Sequence, residues 1–248
     1  MSNPFDLSGR LAVVTGAGKG IGRGIALQLA NAGADVIVSA RTQSDLEEVA
    51  AAIQAIGRRA TPVVADVTIT EQLQMVAAAA DRPIDIWVNN AGGLPDATPR
   101  YLTKTAEDRW DAQMDLNLKA VFIATQIAAE NMESGSIINI SSSASRARGS
   151  VKNGPYAASK AAVNSLTATF AIEMAPKIRV NAIAPGPIPT DNFNESTSFP
   201  EGKPVEKIIG VPLGRLGTPD DIGHAVVYMA SDAASWVTGQ CLFVTGGL

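Results

Sequence analysis

Two side chains four residues apart, Tyr156 and Lys160, carry the most suggestive chemistry in this 248-residue chain. On a helix that spacing puts both on one face, one turn from each other. A free phenol titrates near pH ~10 and is a poor base at neutrality, whereas a neighbouring ammonium favours the phenolate and lowers its pKa. The pair therefore reads as an acid/base residue, Tyr156, with Lys160 as its electrostatic partner. Upstream, Ser141, Ser142 and Ser143 follow a short apolar run. A hydroxyl set beside Tyr156 could hydrogen-bond a reacting oxygen as charge develops on it.

A second chemistry is written near the amino terminus. The apolar run Leu11–Thr15 leads straight into Gly16, Ala17, Gly18, Lys19, Gly20, Ile21 and Gly22, and then into a helical pattern. Glycines let a backbone turn sharply and approach phosphates, and a helix amino terminus offers unpaired N–H groups and a positive dipole end. The spacing is Gly-x-Gly-x-Gly-x-Gly, a variant of the dinucleotide fingerprint. A further small-residue segment, Asn89, Asn90, Ala91, Gly92 and Gly93, follows another apolar run. In an open α/β sheet, ligands bind at the carboxyl ends of strands where strand order reverses. If the first and fourth strands are neighbours there, both glycine segments face one crevice. An NAD site usually carries a carboxylate at the end of the second strand; here Ala40 stands in that place, followed by Arg41. Arg41 and Lys19 suit a 2′-phosphate, so the expected cofactor is NADP(H).

These groups must be positioned by elements, and the periodicity supplies them. Short β-branched runs are expected to be strands at 11–15, 35–39, 60–65, 84–89, 136–141, 179–184 and 241–245, with helical segments between. Ser44 and Glu47 form a possible capping box before a helix that stops at Gly57, and Thr218–Pro219 opens another helix. The pattern is that of an α/β protein: a Rossmann-like, doubly wound, seven-stranded parallel sheet with helices on both faces. Residues 1–248 are expected to form a single dinucleotide-binding and catalytic domain. The stretch 185–217 holds six of the 14 prolines, and 191–210 within it is the expected substrate lid.

Composition narrows the classes. A hydrophobic content of 46% and a net charge of −4 suit a compact domain and, without a basic run, disfavour nucleic-acid or membrane-surface partners. The segment Met1–Arg10 resembles no secretory or transit signal, so a cytoplasmic location is expected. Cys241 and His224 are single residues of their kinds, leaving no disulfide framework and no expected metal site.

The conjunction of these segments resembles the short-chain dehydrogenase/reductase family along nearly the whole chain. The matching residues are the Thr15–Gly22 turn, Asp66–Val67, Asn89–Gly92, Asn117, Ile140–Ser142, Tyr156 to Lys160, Pro185–Gly186 and Thr245–Gly247. The resemblance implies strand order 3-2-1-4-5-6-7, a homotetramer or dimer, and a catalytic set of Asn117, a serine, Tyr156 and Lys160. It also implies adenine contacts from Asp66 and Val67, a carboxamide contact from Ile188, and a contact to that group or the phosphates from Thr190. Pro185 and Gly186 line the cofactor, Lys160 reaches the ribose hydroxyls, and Asn117 holds a water that links Lys160 to solvent. Counting from the strand selects Ser142 as the catalytic serine, while counting back the family's usual 13 positions from Tyr156 selects Ser143. Strand register fixes a side chain's direction, so Ser142 is preferred. The implied reaction is NADP(H)-dependent interconversion of a carbonyl and a secondary alcohol on a small molecule. An NAD(H)-dependent sugar or hydroxysteroid dehydrogenase and a non-catalytic NADP(H)-sensing protein stay open. The basic residues Arg146, Arg148 and Lys152 could attract an anionic substrate, but such charges more often are solvated loop charges.

Overall fold

The computed structural model describes residues 3–146, 152–191, 193 and 204–248. Seven strands run β1 (Leu11–Thr15), β2 (Asp35–Ala40), β3 (Ala60–Val64), β4 (Ile86–Asn89), β5 (Gly135–Ile140), β6 (Ile178–Pro185) and β7 (Cys241–Val244). They form one sheet in the order β3-β2-β1-β4-β5-β6-β7, and every neighbouring pair is parallel. The order reverses between β1 and β4, which pair through Ala12–Ile86, Val13–Trp87 and Val14–Val88.

Successive strand residues serve opposite faces, so a strand covered on both sides must be apolar throughout. In β1, Ala12 and Val14 join Ile25 and Leu29 of α1 (Gly20–Asn31), Leu46 and Val49 of α2 (Gln43–Ala55), and Ile222 and Val226 of α8 (Pro219–Ala230). Leu11 and Val13 point the other way, to Leu73 and Val76 of α3 (Thr70–Ala78), Ala124 and Ile127 of α5 (Ala120–Asn131), and Phe170 of α6 (Gly154–Met174). Two shorter helices, α4 (Glu107–Met114) and α7 (Val205–Ile209), complete the set used below. Pro62 sits in β3, an edge strand, where a missing N–H is tolerated. No helix among the described residues is long and apolar enough to cross a membrane.

Strand ends differ from the expected ones by one or two residues. The largest shift is in β4, which starts at Ile86. The amides of Ile84 and Asp85 instead bond to Asn131 and Leu11, closing the turn below the sheet. The capping box expected at Ser44 and Glu47 is absent: Thr42 is the N-cap and Gln43 already lies inside α2, bonding its amide to Glu47 at 2.7 Å. Thr218 does cap α8, with a reciprocal bond from its own N–H to Asp221. Of the expected lid, residues 192 and 194–203 lie outside the described residues, as does Arg148.

Candidate active site

At the carboxyl end of β1, Gly16 takes φ +64°, and a Cβ there would lie 2.8 Å from Ala91 Cα. At Gly22 an added Cβ would come within 2.0 Å of the Gly16 carbonyl oxygen. The turn is therefore folded on itself so tightly that only hydrogen fits. Lys19 is the extended N-cap of α1, whose first turn carries no acidic residue. Thr15 ties this turn to the end of β4: its Oγ1 accepts from the amides of Asn90 and Ala91, both at 3.1 Å, and donates to the Val88 carbonyl at 3.3 Å. The Asn90 amide group donates to the Thr15 and Gly16 carbonyls at 2.9 and 3.1 Å. The two glycine segments thus meet in one crevice at the reversal point.

The amino side of that crevice fits a dinucleotide. Gly18 faces Ala40 and Asp45, and Gly20 faces the Thr190 methyl, with no room for a Cβ against Asp45 and only a tight fit at Thr190. Burial alone would raise the Asp66 carboxyl, but bonds from Thr68 and the nearby Arg41 guanidinium hold it below the usual carboxylate range. Val67 is buried beside it. Lys19 forms an exposed ion pair with Asp191 at 2.9 Å, so it does not wait alone for a phosphate. Ile188 buries its side chain in the core beneath Gly217, Pro185 ends β6 alongside Val244, and Gly186 donates to the Val244 carbonyl. Thr190 accepts from the Phe193 amide through its hydroxyl.

The other side of the crevice gathers the acid/base groups. Ser141, Ser142 and Ser143 leave β5 in different roles. Ser141 is buried and donates to the Lys160 carbonyl at 3.1 Å, fixing α6 to the strand end. Ser143 opens a short 3-10 turn. Ser142 caps that turn, its oxygen accepting from Ala144 N–H at 3.1 Å, and it shares a hydrogen bond with the Tyr156 phenol. Counting from the strand therefore finds the serine beside Tyr156, and the count back from Tyr156 falls one residue short of it. Ser142→Ala should lower turnover by about 10²–10³-fold, the usual loss for a donor to a developing oxyanion, while Ser143→Ala stays near wild type. Steady-state kinetics on both variants decide it, and the reverse ranking would reject Ser142.

Tyr156 and Lys160 lie on α6 as expected, but their electrostatics do not follow the sequence expectation. Burial raises the Tyr156 pKa above its ordinary value, against a smaller lowering by the Ser142 bond. Lys160 is only 3% exposed, and burial lowers its pKa to about 8. Its Nζ donates to the Ile140 carbonyl at 2.8 Å and stands 5.8 Å from the Tyr156 ring centre. The ammonium is thus held by the strand, and desolvation sets the direction of the phenol's shift. Asn117 is fully buried in a π-helical segment, Asp115–Lys119, that joins α4 to α5. The wider turn aims its side chain at the glycine loop: Oδ1 accepts from Gly93 N–H at 2.9 Å and Nδ2 donates to the Gly93 carbonyl at 2.8 Å. A Cβ on Gly92 would meet Asn117 Oδ1 at 2.8 Å and Lys160 Nζ at 3.2 Å, so loop, asparagine and lysine are in contact.

Some residues of this arrangement were not singled out by sequence. Thr15 looks like the last residue of a core strand. Gln113, buried one turn before Asn117, accepts from Asn117 Nδ2 at 2.9 Å, and its four-residue spacing from Asn117 is the one signal in the sequence that could have found it. Arg146 has its guanidinium 4.0 Å from the Phe243 ring centre and donates to the Leu248 carbonyl at 3.1 Å. Lys152 lies over Tyr101, 5.6 Å from the ring centre.

Sheet order, glycine crevice and the cluster at its mouth define a dinucleotide-binding oxidoreductase of the α/β class. A family model described as enoyl-(acyl carrier protein) reductase matches residues 16–248. The chain belongs to the short-chain dehydrogenase/reductase family. It is 41% identical over 251 residues to an uncharacterized oxidoreductase of Mycobacterium tuberculosis (strain CDC 1551 / Oshkosh), covering 98% of this chain and 94% of the relative. Among solved structures it resembles a 7α-hydroxysteroid dehydrogenase complexed with NADH and 7-oxo glycochenodeoxycholic acid, at TM-score 0.91 and 36% identity, covering 100% and 98% of the two chains. It also resembles a structure described as an NAD(P)-dependent gluconate 5-dehydrogenase from Beutenbergia cavernae with bound NADP, at TM-score 0.88 and 40% identity, covering 99% and 98%.

Proposed function

We propose that this oxidoreductase interconverts a carbonyl and a secondary alcohol of a small molecule with NADP(H), using Tyr156 as general acid/base. The observation that carries the reading is the hydrogen bond between Ser142 and Tyr156 beside buried Lys160 and Asn117. Bound NADPH would supply the hydride. Ser142 accepts from Ala144 N–H, which leaves its proton to donate to the substrate oxygen. Tyr156, kept neutral by burial, gives that oxygen its proton, and alcohol oxidation runs the same transfers in reverse. Lys160 offers a cation to the ribose hydroxyls, and Asn117 holds Gly93 and the loop around it in place.

For the cofactor, Gly16, Gly18, Gly20, Ile21 and Gly22 would carry the pyrophosphate, Arg41 and Lys19 the 2′-phosphate, and Asp66 and Val67 the adenine. Asn90, Ala91 and Gly92 would line the nicotinamide side, with Pro185, Gly186, Ile188 and Thr190 opposite. The absence of an acid at Ala40 supports NADP(H). A lower KM for NADPH than for NADH is expected, and Arg41→Asp should raise the NADPH value by roughly 10–100-fold, the worth of one charge-assisted hydrogen bond. A clear preference for NADH in the wild type would overturn this. The engagement of Lys19 by Asp191 favours the second reading, an NAD(H)-dependent sugar or hydroxysteroid dehydrogenase, and the same comparison decides between them.

We place the protein in the cytoplasm, and we expect a homotetramer or dimer, whose mass light scattering of the purified chain checks. The functional test is a panel read by loss of NADPH absorbance: the carbonyl compounds ethyl acetoacetate, an acetoacetyl thioester, 5-ketogluconate and a 7-oxo bile acid, and a polyhydroxynaphthalene that presents a carbonyl in its keto tautomer. Turnover of at least one is expected. Tight NADPH binding without turnover of any would instead favour a cofactor sensor.

A further inference from the structure

Below the site, on the face of the sheet that carries α5 and α6, lies a chain of buried side chains that the chemistry above does not use. They are Trp87 and Asn89 of β4, Asn139 of β5, Thr125 of α5 and Thr167 of α6, none more than 2% exposed. Trp87 Nε1–H donates to Asn89 Oδ1 at 2.8 Å. Asn89 Nδ2 donates to Thr125 Oγ1 at 3.1 Å and to Asn139 Oδ1 at 2.9 Å, the two asparagines standing opposite each other in register. Asn139 Nδ2 donates to Thr167 Oγ1 at 3.0 Å. The two threonine hydroxyls donate in turn to carbonyls of their own helices, Val121 at 2.7 Å and Val163 at 2.8 Å.

An indole N–H can only donate, so Trp87 turns the Asn89 oxygen toward itself, and every amide and hydroxyl further along is oriented in consequence. The chain has one direction, from the sheet outward to the two helices. Its stabilising value is small, because buried polar groups that satisfy one another gain little over apolar side chains of the same shape. What it adds is registry. Apolar packing of a helix on a sheet is non-directional and tolerates sliding, whereas a hydrogen bond weakens steeply away from its own geometry. The helix α6 is tied to β5 at two levels. One is beside the site, where Lys160 Nζ donates to the Ile140 carbonyl and Ser141 donates to the Lys160 carbonyl. The other is the bond from Asn139 to Thr167, two turns or about 10 Å further along the helix. A single attachment would let the helix pivot; two fix both its slide and its rotation. We propose that Asn139 and Thr167, oriented by Trp87, are positioning residues for the reaction: they hold α6 in the register along β5 from which Lys160 reaches the Ile140 carbonyl and Tyr156 faces the reacting oxygen. The inference rests on the oxidoreductase reading above.

The test compares wild type with Thr167→Val, which keeps the shape and removes the acceptor, and Thr167→Ser, which keeps the acceptor. For the panel compound that turns over fastest, Thr167→Val should lower kcat about tenfold, with KM and NADPH affinity within about twofold of wild type. Thr167→Ser should restore kcat to within about twofold. The alkaline climb of alcohol oxidation should move by about half a pH unit or more in Thr167→Val, since Lys160 leaves its place beside the phenol, and should stay put in Thr167→Ser. Hydrogen–deuterium exchange of peptides covering residues 154–163 should quicken by about tenfold in Thr167→Val, with peptides of β1 and β2 unchanged. If Thr167→Val does not fold, Trp87→Phe removes the donor at the far end of the chain and carries the same expectation. A lowered Tm with wild-type kcat and pH profile would reduce the chain to packing and overturn the proposal. Unchanged exchange in α6, or a loss in Thr167→Ser equal to that in Thr167→Val, would overturn it too. Absence of wild-type turnover would instead reject the oxidoreductase reading and the catalytic purpose of the register with it, while the exchange of α6 still tells whether the register is held this way.

Discussion

Tyr156→Phe is expected to bind NADPH as the wild type does and to lose at least about a thousandfold in kcat, within the range a positioned acid/base group contributes. The ring stays, so packing on α6 is kept, and only the oxygen that shares a bond with Ser142 is removed. Fluorescence titration with NADPH and steady-state kinetics check the two halves separately. Residual turnover above about a tenth of wild type would remove Tyr156 from the mechanism. The raised phenol pKa also fixes a direction with pH. Neutral phenol is the proton donor, so carbonyl reduction should be flat through neutrality. Alcohol oxidation needs the phenolate and should climb by up to about tenfold per unit toward alkaline pH. An oxidation rate that is already flat by pH 7 would contradict it.

Lys160→Met should abolish most turnover and yet yield a more stable protein. At neutral pH the buried ammonium is retained at a cost, since its pKa falls from 10.5 to about 8 on folding. That shift corresponds to about 3 kcal/mol of lost stability at about 1.4 kcal/mol per unit. Removing the ammonium also strips the Ile140 carbonyl of its donor, worth about 1 kcal/mol, which leaves a net gain of about 2 kcal/mol or a few degrees in Tm. The sign with pH is specific. Below about 8 both folded and unfolded chains hold the proton and the full cost applies. Between about 8 and 10.5 the unfolded chain binds it more tightly, so wild-type stability rises with pH and the gap to Lys160→Met closes. Thermal denaturation at pH 7 and pH 10 measures this; a variant less stable than wild type at pH 7 would show that the ammonium stabilises the fold.

The elements were legible because most strands of the sheet are covered on both faces and read as apolar runs, while their order came from the family resemblance. The choice of Ser142 also came from the sequence, since the side chain's direction is set by the strand and not by the distance to Tyr156. What escaped was set by tertiary contact. The sign of the Tyr156 shift depends on how much water the fold removes, which no spacing reports. The π-helical turn at Asn117 has no local signature, and without it the link from Gln113 through Asn117 to Gly93 is invisible. The partners of Arg146, Phe243 and Leu248, were equally out of reach of the sequence, since they lie about a hundred residues further along the chain.

Thr15 and Asn90 stitch the first glycine segment to the second through five hydrogen bonds that involve no substrate-facing loop. The crevice floor is consequently one plate, and neither half can be redesigned without the other. The rim at Gly93 is fastened separately, by its own asparagine, Asn117.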